Sequence, residues 1–357
     1  MGYKWLGLWL CLVGMPGLVE AQNWAYRGEA AFVSQGMVDQ KTSDWQLRYL
    51  PQWELEGAGE RAWAWDAQLA GYLYHQQTNA QALETEAELL RAWGRVFDPN
   101  TELRLGLQEL SFGPAVLLRS LQWFDQKDPL DPTGFTKGVK GALLRVSTKE
   151  NSTFWLWSLG GNQDLYALTP YASEKHRVEW GGRAQLSFEA LEAGLTLHRR
   201  TLSLPGQESV PESRLALDAK ADFTYLGAWV EGVGLTRARE GPSAQDERWG
   251  TLGMDTSINW LEGLLLTAEH YRKDTRSGGA AWNRSAQSNA LMASLGFGLL
   301  DNYRISWFTT EEPQAQQARF DWQRSYDNLL WNLSVFKLNT NQDDARWGAG
   351  LVVQYNH

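Results

Sequence analysis

Charged side chains alternate in sign through one stretch of this chain. Arg119, Asp125, Lys127, Asp128, Asp131 and Lys137 fall around the dipeptides Asp128-Pro129 and Asp131-Pro132. A residue before proline is pushed out of the α region, so both dipeptides are stiff and extended. Acids and bases fixed along such a segment can set up a transverse field that orients a polar solute without bonding to it. Covalent chemistry has less to work with. The histidines are His75, His176, His198, His270 and His357, and none has a metal-ligand spacing; there is no Gly-x-Ser-x-Gly elbow either. His198, followed by Arg199 and Arg200, reads as a histidine at a strand rim. Glu311-Glu312 and Asp343-Asp344 fall in expected loops, where carboxylates are solvated. The single cysteine, Cys11, lies in the leader, so thiolate chemistry is excluded after it. The sequence therefore argues for no enzyme, no metal and no cofactor.

The elements that must position these charges alternate apolar and polar. His176, Val178, Trp180, Gly182, Ala184, Leu186 and Phe188 form one face of a segment whose other face is Lys175, Arg177, Glu179, Gly181, Arg183, Gln185 and Ser187. Leu215, Leu217, Ala219, Ala221 and Phe223 likewise oppose Arg214, Ala216, Asp218, Lys220 and Asp222. A helical period of 3.6 would mix the two sets. About eighteen such segments follow one another from residue 26 to residue 356, joined alternately by short turns and longer polar loops. No apolar run long enough for a membrane helix occurs after the first twenty-one residues. Only helices and closed barrels satisfy their backbone inside lipid. The fold class expected is therefore all-β: a transmembrane antiparallel up-and-down barrel of about eighteen strands, with sixteen left open because strands four, six, eleven and sixteen have poor parity. Twenty tryptophans with twelve tyrosines and twelve phenylalanines suit the aromatic girdles of such a barrel. Arg91 and Arg324 fall on rows that should face lipid, which requires either an interface position or a change of local register.

Met1 to Ala21 reads as a secretory signal peptide, with one positive charge at Lys4, a short apolar core and small residues before Gln22. Residues 22–357 then form one barrel domain in the bacterial outer membrane. A net charge of −9 argues against a nucleic-acid partner. The partners expected are outer-membrane lipid and a small polar solute, and the pattern leaves room for a homo-oligomer.

The segment from Leu110 to Lys140 breaks the repeat. Val116, Leu117, Leu118, Leu121, Trp123 and Phe124 require burial, so the long loop 113–137 is expected to fold inward and constrict the lumen. The residues expected to line the constriction and channel are Arg104, Gln108, Arg119, Asp125, Lys127, Asp128, Asp131, Lys137, Arg183, Arg214, Lys220 and Arg304. Leu105-Gly106-Leu107-Gln108-Glu109-Leu110-Ser111-Phe112-Gly113, followed by Asp128-Pro129-Leu130-Asp131-Pro132, resembles a strand-to-loop pattern of the alginate-export-type and related porin-like families. That resemblance implies an outer-membrane pore. The family's arginine is Leu107 here, and the expected lumen shows only a modest basic excess. The function expected is passive diffusion of small polar or anionic solutes. The alternatives are a polysaccharide exporter, a plugged structural barrel and, last, an outer-membrane enzyme.

Overall fold

Strand parity of this kind closes on itself when the first strand finds the last. The computed structural model describes residues 23–38, 42–59, 63–78, 83–131, 133–164, 171–204, 209–237, 245–260, 262–278, 280–341 and 343–357; the expected signal peptide lies outside them. In chain order the strands are β1 (Asn23–Met37), β2 (Thr42–Ala58), β3 (Ala64–Gln77), β4 (Glu84–Phe97), β5 (Thr101–Gln108), β6 (Val139–Ser147), β7 (Thr153–Gly160), β8 (Val178–Ser187) and β9 (Leu191–Leu202). They continue as β10 (Val210–Asp222), β11 (Gly227–Arg237), β12 (Gln245–Ile258), β13 (Leu264–Ser277), β14 (Asn283–Phe297), β15 (Asp301–Glu311), β16 (Gln314–Ser325), β17 (Leu329–Thr340) and β18 (Asp343–Asn356). Each pairs antiparallel with its chain neighbours, and β1 pairs with both β2 and β18, so the eighteen strands form a closed barrel.

Short turns lie at one end of the barrel, which also receives the start of β1 and the end of β18. The longer connections lie at the other. Outward rows are apolar, with Leu252, Leu291, Ile305, Phe320 and Leu333 all exposed, while Trp260, Phe297, Tyr326 and Tyr355 ring the short-turn end. An apolar belt bounded by amphipathic rings is the exterior of a barrel that sits in lipid.

The two arginines out of place are resolved in different ways. Ala70 pairs with Arg91 while Gly71 pairs with Leu89, so Leu90 is an extra residue on β4. A bulge of this kind reverses the parity beyond it. Arg91 is thereby turned into the lumen, where it donates to the Thr136 carbonyl at 2.8 Å and to Glu109 at 2.8 Å. Arg324 keeps its outward row, but it sits one residue from the end of β16, 3.4 Å from Asp301 and against the Tyr326 ring. That is the headgroup level, where a guanidinium stays hydrated.

Two boundaries differ from expectation. β5 ends at Gln108 instead of running to residue 112, so the long loop covers 109–138 and not 113–137. Leu110 and Phe112 continue the strand's alternation in sequence, but they are buried inside the barrel and pull the chain away from the wall. β8 begins at Val178, three residues after Lys175, where its alternation starts in sequence.

The hydrophobic core sits inside the lumen. Leu110, Phe112, Leu121, Trp123 and Phe124 of the loop pack against Leu143, Trp157 and Leu159 of β6 and β7 and against Ala216, Val233, Leu235 and Trp249 of β10 to β12. Phe112 stacks on Trp157 at 5.9 Å and meets Trp123 edge-on at 5.6 Å. Burying a large apolar side chain contributes about 1.5–3 kcal/mol, so this cluster holds the loop in place. It also explains why strands six and eleven have poor parity: their inner faces are apolar because the loop covers them.

Candidate functional site

The loop 109–138 crosses the lumen and is tied to wall strands on opposite sides. On one side two wall carboxyls accept six backbone N–H groups. Glu231 on β11 accepts from Ala115 at 2.9 Å, Ser120 at 2.7 Å and Leu121 at 3.0 Å. Glu269 on β13 accepts from Val116 at 2.7 Å, Leu117 at 2.9 Å and Leu118 at 2.5 Å. Trp229 Nε1 also donates to Glu269 at 3.0 Å, and Trp249 Nε1 donates to the Ser120 carbonyl at 2.9 Å. A segment with no regular structure has no ladder to satisfy its amides, and buried amides must find partners elsewhere. These two carboxyls supply them.

The opposite ties belong to the charged half of the loop. Arg48 on β2 donates to Asp131 at 2.9 Å and to the Thr133 hydroxyl at 2.5 Å. Phe135 packs on Tyr72 of β3 at 4.2 Å. Lys137 reaches Glu88 of β4 at 2.8 Å, Lys127 reaches Glu109 at 2.7 Å, and Arg304 of β15 donates to the Pro129 carbonyl at 3.2 Å.

The structure divides the twelve residues expected to line the channel. Lys127 and Asp128 are exposed; Asp131, Lys137 and Arg304 are partly exposed and stand around the same half of the loop. Arg104 pairs with Glu102 at 2.9 Å and lies on the Trp93 ring, toward the short-turn end; Lys220, 3.1 Å from Asp222, is at that end too. Of the other five, Gln108, Asp125, Arg183 and Arg214 are buried and Arg119 is nearly so. Gln108 donates to the Gly141 carbonyl. Arg119 and Asp125 pair with each other inside the loop at 3.0 Å. Arg183 grips Asp218 with two bonds of 2.6 and 2.8 Å, and Arg214 pairs with Glu212 at 2.8 Å beneath the Trp123 ring. Their partners hold them within the loop or within the wall, and Arg183 and Arg214 also meet the loop through the Phe112 and Trp123 rings.

His198 is not a rim histidine. It is buried, its Nε2 donates to Glu179 at 3.3 Å, and its Nδ1 accepts from Trp157 Nε1 at 3.2 Å under the edge of Phe124. Many charges of the expected lumen are paired with one another. Glu212, Glu231, Glu247 and Glu269 all face inward, and Glu212 alone joins Arg200, Arg214 and Arg237. On the inner face of β18 the Phe336 ring covers Gly348 and the Ser334 hydroxyl covers Gly350. Among the described residues no group of three or more His, Cys, Asp or Glu side chains is placed to hold a metal ion.

Two loop carboxyls have shifted titrations. Burial acts to raise Glu109, and Lys127 and Arg91 outweigh it, leaving the group below the usual carboxylate range. Burial also acts to raise Asp131, and Thr133 and Arg48 outweigh it in the same direction. A carboxyl with a depressed folded pKa contributes stability above its unfolded pKa and loses it as the pH falls through the folded value. We therefore expect the ion selectivity set by the charged half of the loop, read as reversal potential in planar bilayers, to stay constant from neutral pH down to about pH 4, the ordinary carboxylate value. It should change only below it, and loss of selectivity near pH 6 would contradict this assignment.

No family model and no curated protein matches this sequence. Solved structures do share its architecture. OccK3 (OpdO) of Pseudomonas aeruginosa is 12% identical with a TM-score of 0.64, over 98% of this chain and 99% of that one. OccK5 (OpdH) of the same organism is 13% identical with a TM-score of 0.60, over 96% and 99%. Wzi of Escherichia coli, an outer-membrane protein of group 1 capsule assembly described as a carbohydrate-binding β-barrel, is 14% identical with a TM-score of 0.59, over 92% and 83%. At these identities the likeness is one of fold. The finer resemblance to the alginate-export-type family finds no support in these comparisons.

Proposed function

We propose that the protein is an outer-membrane channel for passive diffusion of small polar solutes, screened by the charged half of an inward-folded loop. The observation that carries this reading is the loop itself. It is pinned across the lumen by Glu231 and Glu269 on one side and by Arg48, Glu88 and Arg304 on the other, while Lys127 and Asp128 remain exposed. A constriction with fixed, oppositely signed groups sorts solutes by size and dipole, and no bond need be made or broken. The groups that meet the solute in this reading are Lys127, Asp128, Asp131, Lys137 and Arg304, joined by Arg48 and Glu88. With acids and bases this evenly paired, any preference for anions is weak. A polysaccharide exporter is the second reading and draws on the likeness to Wzi. The folded loop speaks against it, because a polymer needs a passage that the loop crosses.

Single-channel recording of the refolded protein in a planar bilayer under a salt gradient tests the proposal. Discrete conductance steps with a small reversal potential are expected. A correctly folded barrel that inserts and stays silent would favour a plugged, structural barrel.

A further inference from the structure

Arginines occur on the outer surface of the barrel where its lipid-facing rows end. Arg248 on β12 and Arg272 on β13 both point outward, on the same rows as Leu252, Met254 and His270. Each donates its Nε to one oxygen of Asp274, at 3.0 and 2.9 Å, yet 52% and 56% of the two side chains stay exposed while Asp274 is 7% exposed. Two exposed guanidiniums thus share one covered carboxyl. Trp282 gathers the group: Arg248 lies 4.5 Å and Arg276 4.7 Å from its ring.

The height of the cluster matters. From Ile258 at the short-turn rim to Arg248 is ten residues along β12. At roughly 3.3 Å per residue and a tilt of roughly 40°, Arg248 stands about 25 Å above that rim, which is the height of the apolar band. The cluster therefore sits at the headgroup level of the external leaflet. Beside it the lipid-facing sheet is hollow. Gly234 pairs with Arg248, and Gly232 pairs with Gly250, all on the outward face. A side chain at Gly234 would meet nothing, and one at Gly232 only the Leu217 carbonyl at 3.9 Å. Leu217 and Leu252 flank this trough.

We infer that this face binds a phosphorylated glycolipid of the external leaflet, with a phosphate on Arg248 and Arg272 and an acyl chain along the Gly232–Gly234 trough. Guanidinium forks match phosphate oxygens bidentately. Among the described residues Asp274 is the carboxylate both guanidiniums share, and the phosphate supplies a second counter-charge. The inference rests on the membrane-channel reading above, since it needs the barrel to be in lipid.

Native mass spectrometry of the detergent-solubilised barrel tests it, using lipid A with two phosphates, the same lipid dephosphorylated, and inorganic phosphate. The wild-type protein is expected to bind the phosphorylated lipid at least tenfold tighter than the dephosphorylated one, a comparison that needs no variant. The double substitution Arg248→Ala/Arg272→Ala should abolish that preference with unaltered conductance, and Gly234→Trp should weaken both lipids alike. Equal binding of the two lipids by the wild type would overturn the inference. So would displacement of bound lipid by inorganic phosphate at the lipid's own concentration, which would mark a free-anion site. A barrel that conducts normally but shows no phosphate preference defeats only the lipid site; a barrel that never inserts defeats the channel reading.

Discussion

Replacing Glu231 and Glu269 together with alanine is expected to release the loop and raise single-channel conductance several-fold. Each carboxyl accepts three backbone N–H groups from residues 115–121, and these amides are enclosed by the loop and the β11–β13 wall. Removing an acceptor costs about 1–3 kcal/mol for each amide donor left unpaired where water reaches poorly. The two sites lie on the same segment, so neither single variant frees it fully. Glutamine is not a neutral replacement, since its NH₂ group would face amide donors. The double variant should therefore show larger steps with rapid flicker and should refold at lower urea concentration. Unchanged step size, in a barrel that still inserts, would mean that the loop does not limit the current.

The second large effect is expected at Arg48. This guanidinium is the partner that neutralises Asp131 and is fixed by Thr133 and the Phe135 ring. Arg48→Ala leaves a carboxylate at the constriction without that cation, so selectivity should move toward cations. Two charges about 4 Å apart interact by several kcal/mol at an effective dielectric near 20, and screening by lumen water reduces what a passing ion feels. A residual change of about 1 kcal/mol corresponds to roughly a fivefold shift in the cation-to-anion permeability ratio. Reversal potentials under a tenfold salt gradient report it directly. The reversed pair Arg48→Asp with Asp131→Arg should return the ratio toward the wild-type value, which a simple loss of loop packing would not do. An anion-directed shift in the single variant would remove Asp131 from the constriction.

Both predictions turn on partners that a linear reading does not pair. Asp131 and Lys137 are legible because they stand in a segment too apolar to be solvated and too long for a turn. Arg48 is legible as an inward residue of an alternating strand, but nothing local says that it meets a residue 83 positions later. Glu231 and Glu269 carry even less signal. Each is one acid on an inward row, and inward acids are ordinary in a barrel whose lumen is wet. The apolar neighbours Trp229, Val233 and Leu235 are the only hint that this part of the wall is covered, and they look instead like a flaw in the parity. Arg91 fails for a related reason: a single extra residue, Leu90, inverts every later assignment on its strand.

By itself, then, the amino-acid sequence determined the barrel, a strand count near eighteen with sixteen left open, the alternation of short and long connections, and the inward course of the apolar loop. These follow from a period of two and from the cost of exposing large apolar side chains, both of which are properties of neighbouring residues. Only the tertiary structure decided which charges of the loop stay exposed and which are enclosed as ties. That choice depends on the register between distant strands, on one bulge, and on which buried amides of the loop come to lie over a wall carboxyl. Each of these is set by contacts across the barrel, not along the chain.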